Sequence, residues 1–354
     1  MPVNRYAYLL LFLVPALLPA AFLLGRWTGL ENLFAFFPIL VLQGLLPLID
    51  WFIGNNARNL SEDSEARVQA DGFYRLLTLA VLPVQLAVLI WAAWVACGLG
   101  TFDWPGFIGW IISTGYVGGI LAINVGHELI HKRSRLEQWT GGVLLSTVCY
   151  GTFKVEHVRG HHVHVATPED PSSAGYDQSL YSFLLQAIPR NVSNAWRLEH
   201  RRLRQLGLPW WHWRNELLWW SALSLAWLGL ATTAFGWLGA VFFVGQSLEA
   251  ILSLETVNYV EHYGLRRRRL ENGRYERPNP THSWNSDAIL TNLILLQLAR
   301  HSDHHANATR PYPALRHFDE SPQLPAGYST MFLLAWVPPL WRRVMNPRVR
   351  AYQA

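Results

Sequence analysis

The sequence predicts an all-α polytopic membrane protein whose polar end carries a histidine-rich metal site. Three observations predict it. The 354-residue chain is 51% hydrophobic and only 15% charged, against roughly 25% charged in ordinary soluble domains. It holds several apolar runs of the length, about 20 residues, that crosses a bilayer as a helix. Its histidines cluster at helical spacings, and the clusters fall at one end of the apolar runs.

Six windows read as spans: about 6–25, 32–53, 73–97, 106–127, 216–233 and 237–260. The first is longer than the apolar stretch of about 7–15 residues in a signal peptide, so it reads as a membrane helix. Loops 98–105 and 234–236 contain no Lys or Arg, and loop 26–31 contains only Arg26. Arg5, Arg58, Arg67, Arg75, the "HKRSR" run at 131–135, the 154–215 segment and "LRRRRL" at 265–270 belong to the other side. Lys and Arg collect on the cytoplasmic side. The expectation is therefore a bacterial-type cytoplasmic (inner) membrane, with both termini and every large polar segment inside. The net charge of +5 then reflects sidedness, not nucleic-acid binding. Residues 139–153 and 287–300 are apolar but short, and are expected as helices packed at the membrane face. Cys97 and Cys149 read as buried small hydrophobes. There is no C-x-x-C, which excludes a disulfide framework and a four-cysteine iron centre within the chain. No internal repeat is visible, and residues 1–354 read as a single domain with no appended soluble unit.

Four histidine groups carry the chemistry. The string "NVGHELIHK" holds His127 and His131, spaced i,i+4. "EHVRGHH" holds His157, His161 and His162. "VEHYG" holds His262, and "RHSDHH" holds His301, His304 and His305. Helical spacings of three and four bring side chains onto one face. The H-E-x-x-H string alone also fits a zinc protease, with Glu128 as general base. A catalytic zinc takes three protein ligands, so nine histidines fit two metal ions better. Imidazole suits iron, zinc, copper and nickel, and the ligand type leaves the metal open. Glu128, Glu156, Glu261, Asp170 and Asp303 stand beside the boxes and are candidates to orient ring N–H groups. Their alternative is ion pairing with Arg159, Arg300 or Lys132. His200, His212 and His317 read as surface or interface residues, while His164 and His282 stay open.

Together these strings resemble the integral-membrane alkane 1-monooxygenase family, part of the fatty acid desaturase and hydroxylase superfamily. "EHVRGHHVHVATPEDPSSA", "HSWNSD", "LQLARHSDHHANATRPYPAL", "PLID" at 47–50 and "LPAGY" at 324–328 extend the likeness over about residues 40–350. The resemblance implies six spans, a non-haem di-iron centre on the nine histidines, and O₂-dependent hydroxylation of n-alkanes to 1-alkanols. It also implies electrons from rubredoxin and its reductase. With no rubredoxin cysteines here, the donor is expected as a separate chain. The departures are "NNARNL" at 55–60, where the family usually has an acidic, proline-containing stretch, and His164.

An unactivated methyl group needs a metal, O₂ and electrons. The protein's share is positioning and water exclusion, with alkane expected to enter from the bilayer through a channel between spans. On the resemblance, Leu42 is a candidate channel gate admitting medium to longer chains, its alternative being an ordinary lipid-facing residue. Arg266, Arg267, Arg268 and Arg269 form a candidate docking patch for an acidic rubredoxin, or a membrane anchor. Other oxidations on one scaffold stay open at this point: aryl- or terpene-methyl hydroxylation, fatty-acid desaturation and alkene-forming decarboxylation. A membrane zinc protease and a non-enzymatic metal carrier are the more distant rivals.

Overall fold

In a computed structural model of the chain, residues 4–353 are described, and the architecture is helical throughout. Pairing of extended backbone is limited, among the described residues, to isolated bridges such as Asn55 with Ala288. Four helices are long and apolar enough to cross a membrane: Arg5–Thr28, Gly72–Gly98, Trp104–Ile130 and Glu216–His262. Their starts are set by polar caps. Asn4 accepts from the Tyr6 N–H, Asp71 from Phe73 and Asn215 from Leu217, which satisfies donors that a helix cannot satisfy itself.

The longest helix is two arms. Gly236 sits at φ 63°, ψ −152°, a conformation that favours glycine. The chain reverses there, so a Cβ on Gly239 would collide with the Ala231 carbonyl. These arms correspond to the fifth and sixth expected windows. The second window breaks in two, Glu31–Phe34 and then Phe37–Ile53, with Pro38 in the first turn of the latter, where proline is tolerated.

The 104–130 helix and the second arm of 216–262 pack through small residues. Gly115 lies under Glu249 and the Gln246 carbonyl, and one turn on Gly119 faces Ala250 and Ser253. Close approach of small residues is how helices associate where no hydrophobic effect drives them together. Large apolar side chains such as Trp27, Trp51, Phe52 and Leu225 point outward, as a hydrocarbon surround allows.

Three expectations need correction. Residues 287–300 do not form one helix; only Ile289–Ile294 does. Asp50 caps it, accepting from Leu290 N at 2.9 Å and Thr291 N at 3.2 Å. Leu296 and Gln297 then take positive φ of 54° and 59°, which ends the helix and turns the chain into His301. Cys149 is not buried but exposed, at a corner of φ 53°. The 139–153 stretch is not one helix either: Arg135–Ser146 takes its first part, packing Gly141 against Gly126 of the 104–130 helix, and residues 147–152 are turns and irregular chain.

Candidate metal centre and its cavity

Four segments deliver the histidines to one place. His127 and His131 come from the end of the 104–130 helix, and His157, His161 and His162 from residues 153–164. His262 ends the long helix, and His301, His304 and His305 lie on His301–Ala306. The nine form two groups: His127, His131, His157, His162 and His304, and beside them His161, His262, His301 and His305. Within each group one nitrogen per ring lies within 4.8 Å of all the others. The groups adjoin, with the His162 and His305 rings 4.5 Å apart.

The i,i+4 rule holds for His127 with His131 and for His301 with His305 but fails for His157 and His161. His157 pairs with His162, five residues on, because residues 157–161 form a π-turn. In that geometry the repeat is i→i+5, so His161 is turned into the second group. His304 and His305 likewise part company.

The donor chemistry fits metal ions. His162 Nε2 lies 3.0 Å from both His157 Nε2 and His304 Nε2, and His304 Nε2 is 2.9 Å from His127 Nε2. In the second group His305 Nε2 is 3.2 Å from His161 Nε2 and 2.9 Å from His301 Nε2, which is 3.2 Å from His262 Nε2. One proton bridges two ring nitrogens, not three or four, so these convergent lone pairs call for a cation. Metal–imidazole bonds are about 2.0–2.1 Å long, so nitrogens this close together would be within reach of an ion held in common. Protonation is suppressed as ligation requires. Burial, followed by mutual repulsion, holds His157, His162, His301, His304 and His305 well below the ordinary imidazole range, and His131 falls to about 3 through burial and Lys132.

His161 is the exception. Burial pulls it down, but Asp170 and the neighbouring glutamates outweigh burial and leave it raised. Its Nδ1 donates to Asp170 Oδ2 at 2.9 Å, which fixes the tautomer and aims Nε2 at the centre. Asp170 is itself held by Ser173 Oγ at 2.5 Å and the Ser172 N–H at 3.1 Å. Glu261 Oε2 approaches His301 Nε2 at 3.1 Å, on the inward side of that ring. The other three carboxylates bond elsewhere. Glu128 pairs with Lys132 and accepts from Tyr312 N. Glu156 accepts from Asn194, and burial together with Asp170 pushes it up to about 8. Asp303 ties down Asn307, Arg310 and the Arg316 N–H. His282 caps its own turn and meets Glu276; His164 stands outside both groups.

A largely apolar cavity reaches the centre at His127, His157 and His301. Ile120, Leu254 and Val257 wall it, and Tyr116 and Phe332 stand at its far end, edge to face at 5.7 Å. Gln43 bonds the Tyr116 hydroxyl. Leu42 is buried next door but does not line this space. Of the four arginines, Arg266, Arg268 and Arg269 are exposed, while Arg267 is half-buried and holds the Val163 carbonyl at 2.9 Å.

The comparisons with known proteins agree with this geometry. A fatty acid desaturase family model matches residues 102–335. Alkane 1-monooxygenase 2 of Pseudomonas aeruginosa is 54% identical over 352 residues, covering 99% of this chain and 93% of its own. Alkane 1-monooxygenase 2 of Alcanivorax borkumensis is 50% identical over 99% of this chain and 92% of its own. The chain belongs to the alkane 1-monooxygenase family. A more distant likeness, 28% identical over 68% of this chain and 64% of the relative, is to the xylene/toluene monooxygenase hydroxylase component of Pseudomonas putida.

In this alkane 1-monooxygenase family member, sequence reasoning missed the support behind Asp170. Asn191 donates to Ser172 Oγ and to Glu255 Oε1, each at 3.0 Å, and Tyr150 donates to the same carboxylate oxygen at 2.6 Å. Glu255 was visible as a signal: an ionisable residue inside an apolar span is functional by default.

Proposed function

We propose that the protein hydroxylates the terminal methyl of medium- to long-chain n-alkanes, consuming O₂, at two iron ions held by the nine histidines. The observation that carries this is nine convergent imidazoles, three of which, His127, His157 and His301, meet an apolar cavity. On this reading five histidines serve one ion and four the other. The two arms of Glu216–His262 and the 37–53 helix, with the three remaining long helices, make six membrane crossings. The centre then lies on the cytoplasmic side of a bacterial inner membrane, the whole chain forming one oxygenase domain.

When bound, the metal supplies the O₂ and electron chemistry that an unactivated methyl requires. The chain does the rest. Ile120, Leu254 and Val257 hold the alkyl chain and exclude water, since apolar walls bind by shape. Asp170 keeps His161 in the tautomer that leaves Nε2 a lone pair. Glu261 faces the cavity beside His301, with its Oε1 unbonded among the described residues, and can hold a proton there.

The test is product identification. Iron-loaded protein, given reduced rubredoxin, its reductase and a panel of octane to hexadecane, lauric acid and p-xylene, is expected to form 1-alkanols. Oxidation of lauric acid or p-xylene alone defeats the reading. If Arg266, Arg268 and Arg269 steer rubredoxin, turnover falls as salt rises, and the triple alanine variant loses that salt dependence.

Chain length has its own prediction. Tyr116 stands three turns before His127, about 16 Å along the helix, so the Tyr116–Phe332 pair limits the cavity. Phe332→Ala is expected to raise the hexadecanol-to-octanol product ratio about tenfold, as pocket volume discriminates methylenes. Competition between the two alkanes in one reaction checks it. Leu42→Trp acts only through Gln43 and Tyr116, so its shift toward shorter chains is expected to be smaller.

A further inference from the structure

Tyr150 stands behind the metal centre and bonds none of its histidines. It is buried, 1% exposed, in the irregular chain after Arg135–Ser146. Its ring stacks on Phe153, with centroids 5.6 Å apart and planes at 24°. Phe153 stacks in turn on His157, at 4.6 Å and 25°, and His157 belongs to the five-histidine group. Phe153 and His157 line the apolar cavity, whereas Tyr150 does not. The phenol is therefore set apart from the cavity, yet two ring contacts join it to the centre.

The hydroxyl has a base beside it. It donates to Glu255 Oε1 at 2.6 Å, the short distance typical of a hydroxyl on a carboxylate. Asn191 Nδ2 donates to the same oxygen at 3.0 Å, and Asn258 Nδ2 to Oε2 at 3.1 Å. Three donors converging on two oxygens is the pattern of an ionised carboxylate, which only accepts. A buried phenol needs no such partner for its hydrogen bond. Tyr259 is satisfied by the Gln178 carbonyl and Tyr263 by Asn346 Oδ1, each at 2.6 Å. A carboxylate buried inside an apolar span is costly, and what it adds over a carbonyl is the capacity to take the proton. That capacity matters to oxidation, because a phenol gives up an electron readily only when its proton leaves too.

We propose that Tyr150 is a one-electron donor that discharges the oxidised metal centre when O₂ has been reduced with no alkane in the cavity. One electron passes from Tyr150 through Phe153 and His157 to the centre. The phenolic O–H bond breaks, and its proton bonds Glu255 Oε1. A neutral tyrosyl radical is left, and the centre is reduced by one electron. The one-electron donor that serves turnover then reduces the radical, and Glu255 returns the proton. The inference rests on the iron and O₂ reading of the nine histidines. Its use is protection: without a C–H bond to attack, the oxidant faces Phe153 and its own imidazoles, and Tyr150 is oxidised reversibly in their place.

The test uses full-length, iron-loaded protein in nanodiscs, reduced with dithionite and exposed to O₂ without alkane. O₂ uptake is followed, and freeze-quenched samples are read by EPR. The parent is expected to give a tyrosyl radical signal that narrows when the protein is grown on ring-deuterated tyrosine. Tyr150→Phe keeps the ring stack and is expected to lose the signal. Glu255→Gln removes the base and is expected to lose it too. Tyr328→Phe, at a tyrosine that lines the cavity, is expected to keep it. Meta-fluorotyrosine placed at position 150 keeps the hydroxyl and is expected to add a fluorine splitting, which locates the radical even if Tyr150→Phe folds poorly. If the parent consumes O₂ without a tyrosyl signal, or the fluorinated protein gives one without the fluorine splitting, the inference is overturned while the iron and O₂ reading stands. A full-strength signal in Glu255→Gln overturns it as well. A reduced, iron-loaded parent that consumes no O₂ overturns that reading, and the inference with it.

Discussion

Replacing His304 with Ala is expected to remove one metal ion and to silence hydroxylation. His304 Nε2 stands 2.9 Å from His127 Nε2 and 3.0 Å from His162 Nε2, so it is the ring that joins the helix-end histidines to the 153–164 segment. Losing it opens the five-histidine group and leaves its neighbours as buried neutral imidazoles without a common ion. A metal supplies several kcal/mol of barrier lowering, and losing it costs about a thousandfold or more in turnover. Iron per chain, measured by elemental analysis, is expected to fall from two to one or fewer. His164→Ala, outside both groups, is expected to keep both ions. A His304→Ala protein that retains full iron and full turnover would show that the grouping is wrong.

The second large effect is expected at Asp170. The residue touches no other histidine of the set, yet it decides which nitrogen of His161 carries the proton. Partners of this kind are typically worth 10–100-fold in metal affinity or activity. Asp170→Ala is expected to lose about that much affinity, read by competition with a chelator. Asp170→Asn keeps an acceptor oxygen but no charge, and is expected to fall between. The support behind it gives a finer check: Asn191→Ala leaves the carboxylate in place but frees Ser172, and a measurable, smaller loss is expected. Equal iron affinity in all three variants would mean that the His161 tautomer is held by something else.

Much of this was legible in the sequence because composition and local spacing are local properties. Apolar windows of membrane length report helices directly: four helices are long and apolar enough to cross a membrane, one of them holding the fifth and sixth windows fused through Gly236, while the second window is broken into shorter helices. The nine histidines were legible because so many at one end of the apolar runs have no ordinary structural use. Helix irregularity was not legible. The π-turn at 157–161 moves His161 away from the group that His157 joins, and no residue in "EHVRGHH" announces it. The left-handed pair Leu296 and Gln297 breaks a stretch whose apolar pattern reads as a continuous helix. Both positions lack glycine, the usual marker of positive φ, so the surrounding packing imposes the turn.

The carboxylates divide on the same line. Proximity in sequence nominated five, and three-dimensional approach selected two, Asp170 and Glu261, as partners of an imidazole. Tyr116 and Phe332 line the apolar cavity while Leu42, buried on the second span, does not, because which face of a buried helix lines a void depends on neighbours far away in sequence. By itself the sequence determined the class, the histidine inventory and the family, since these rest on residue type and short-range spacing. The tertiary structure alone decided which histidines converge with which, which acids meet a ring, and that a second, partly polar cavity backs the apolar one. Those depend on crossings between distant segments, and a helix interior that is hydrophobic all round gives no period from which to read them.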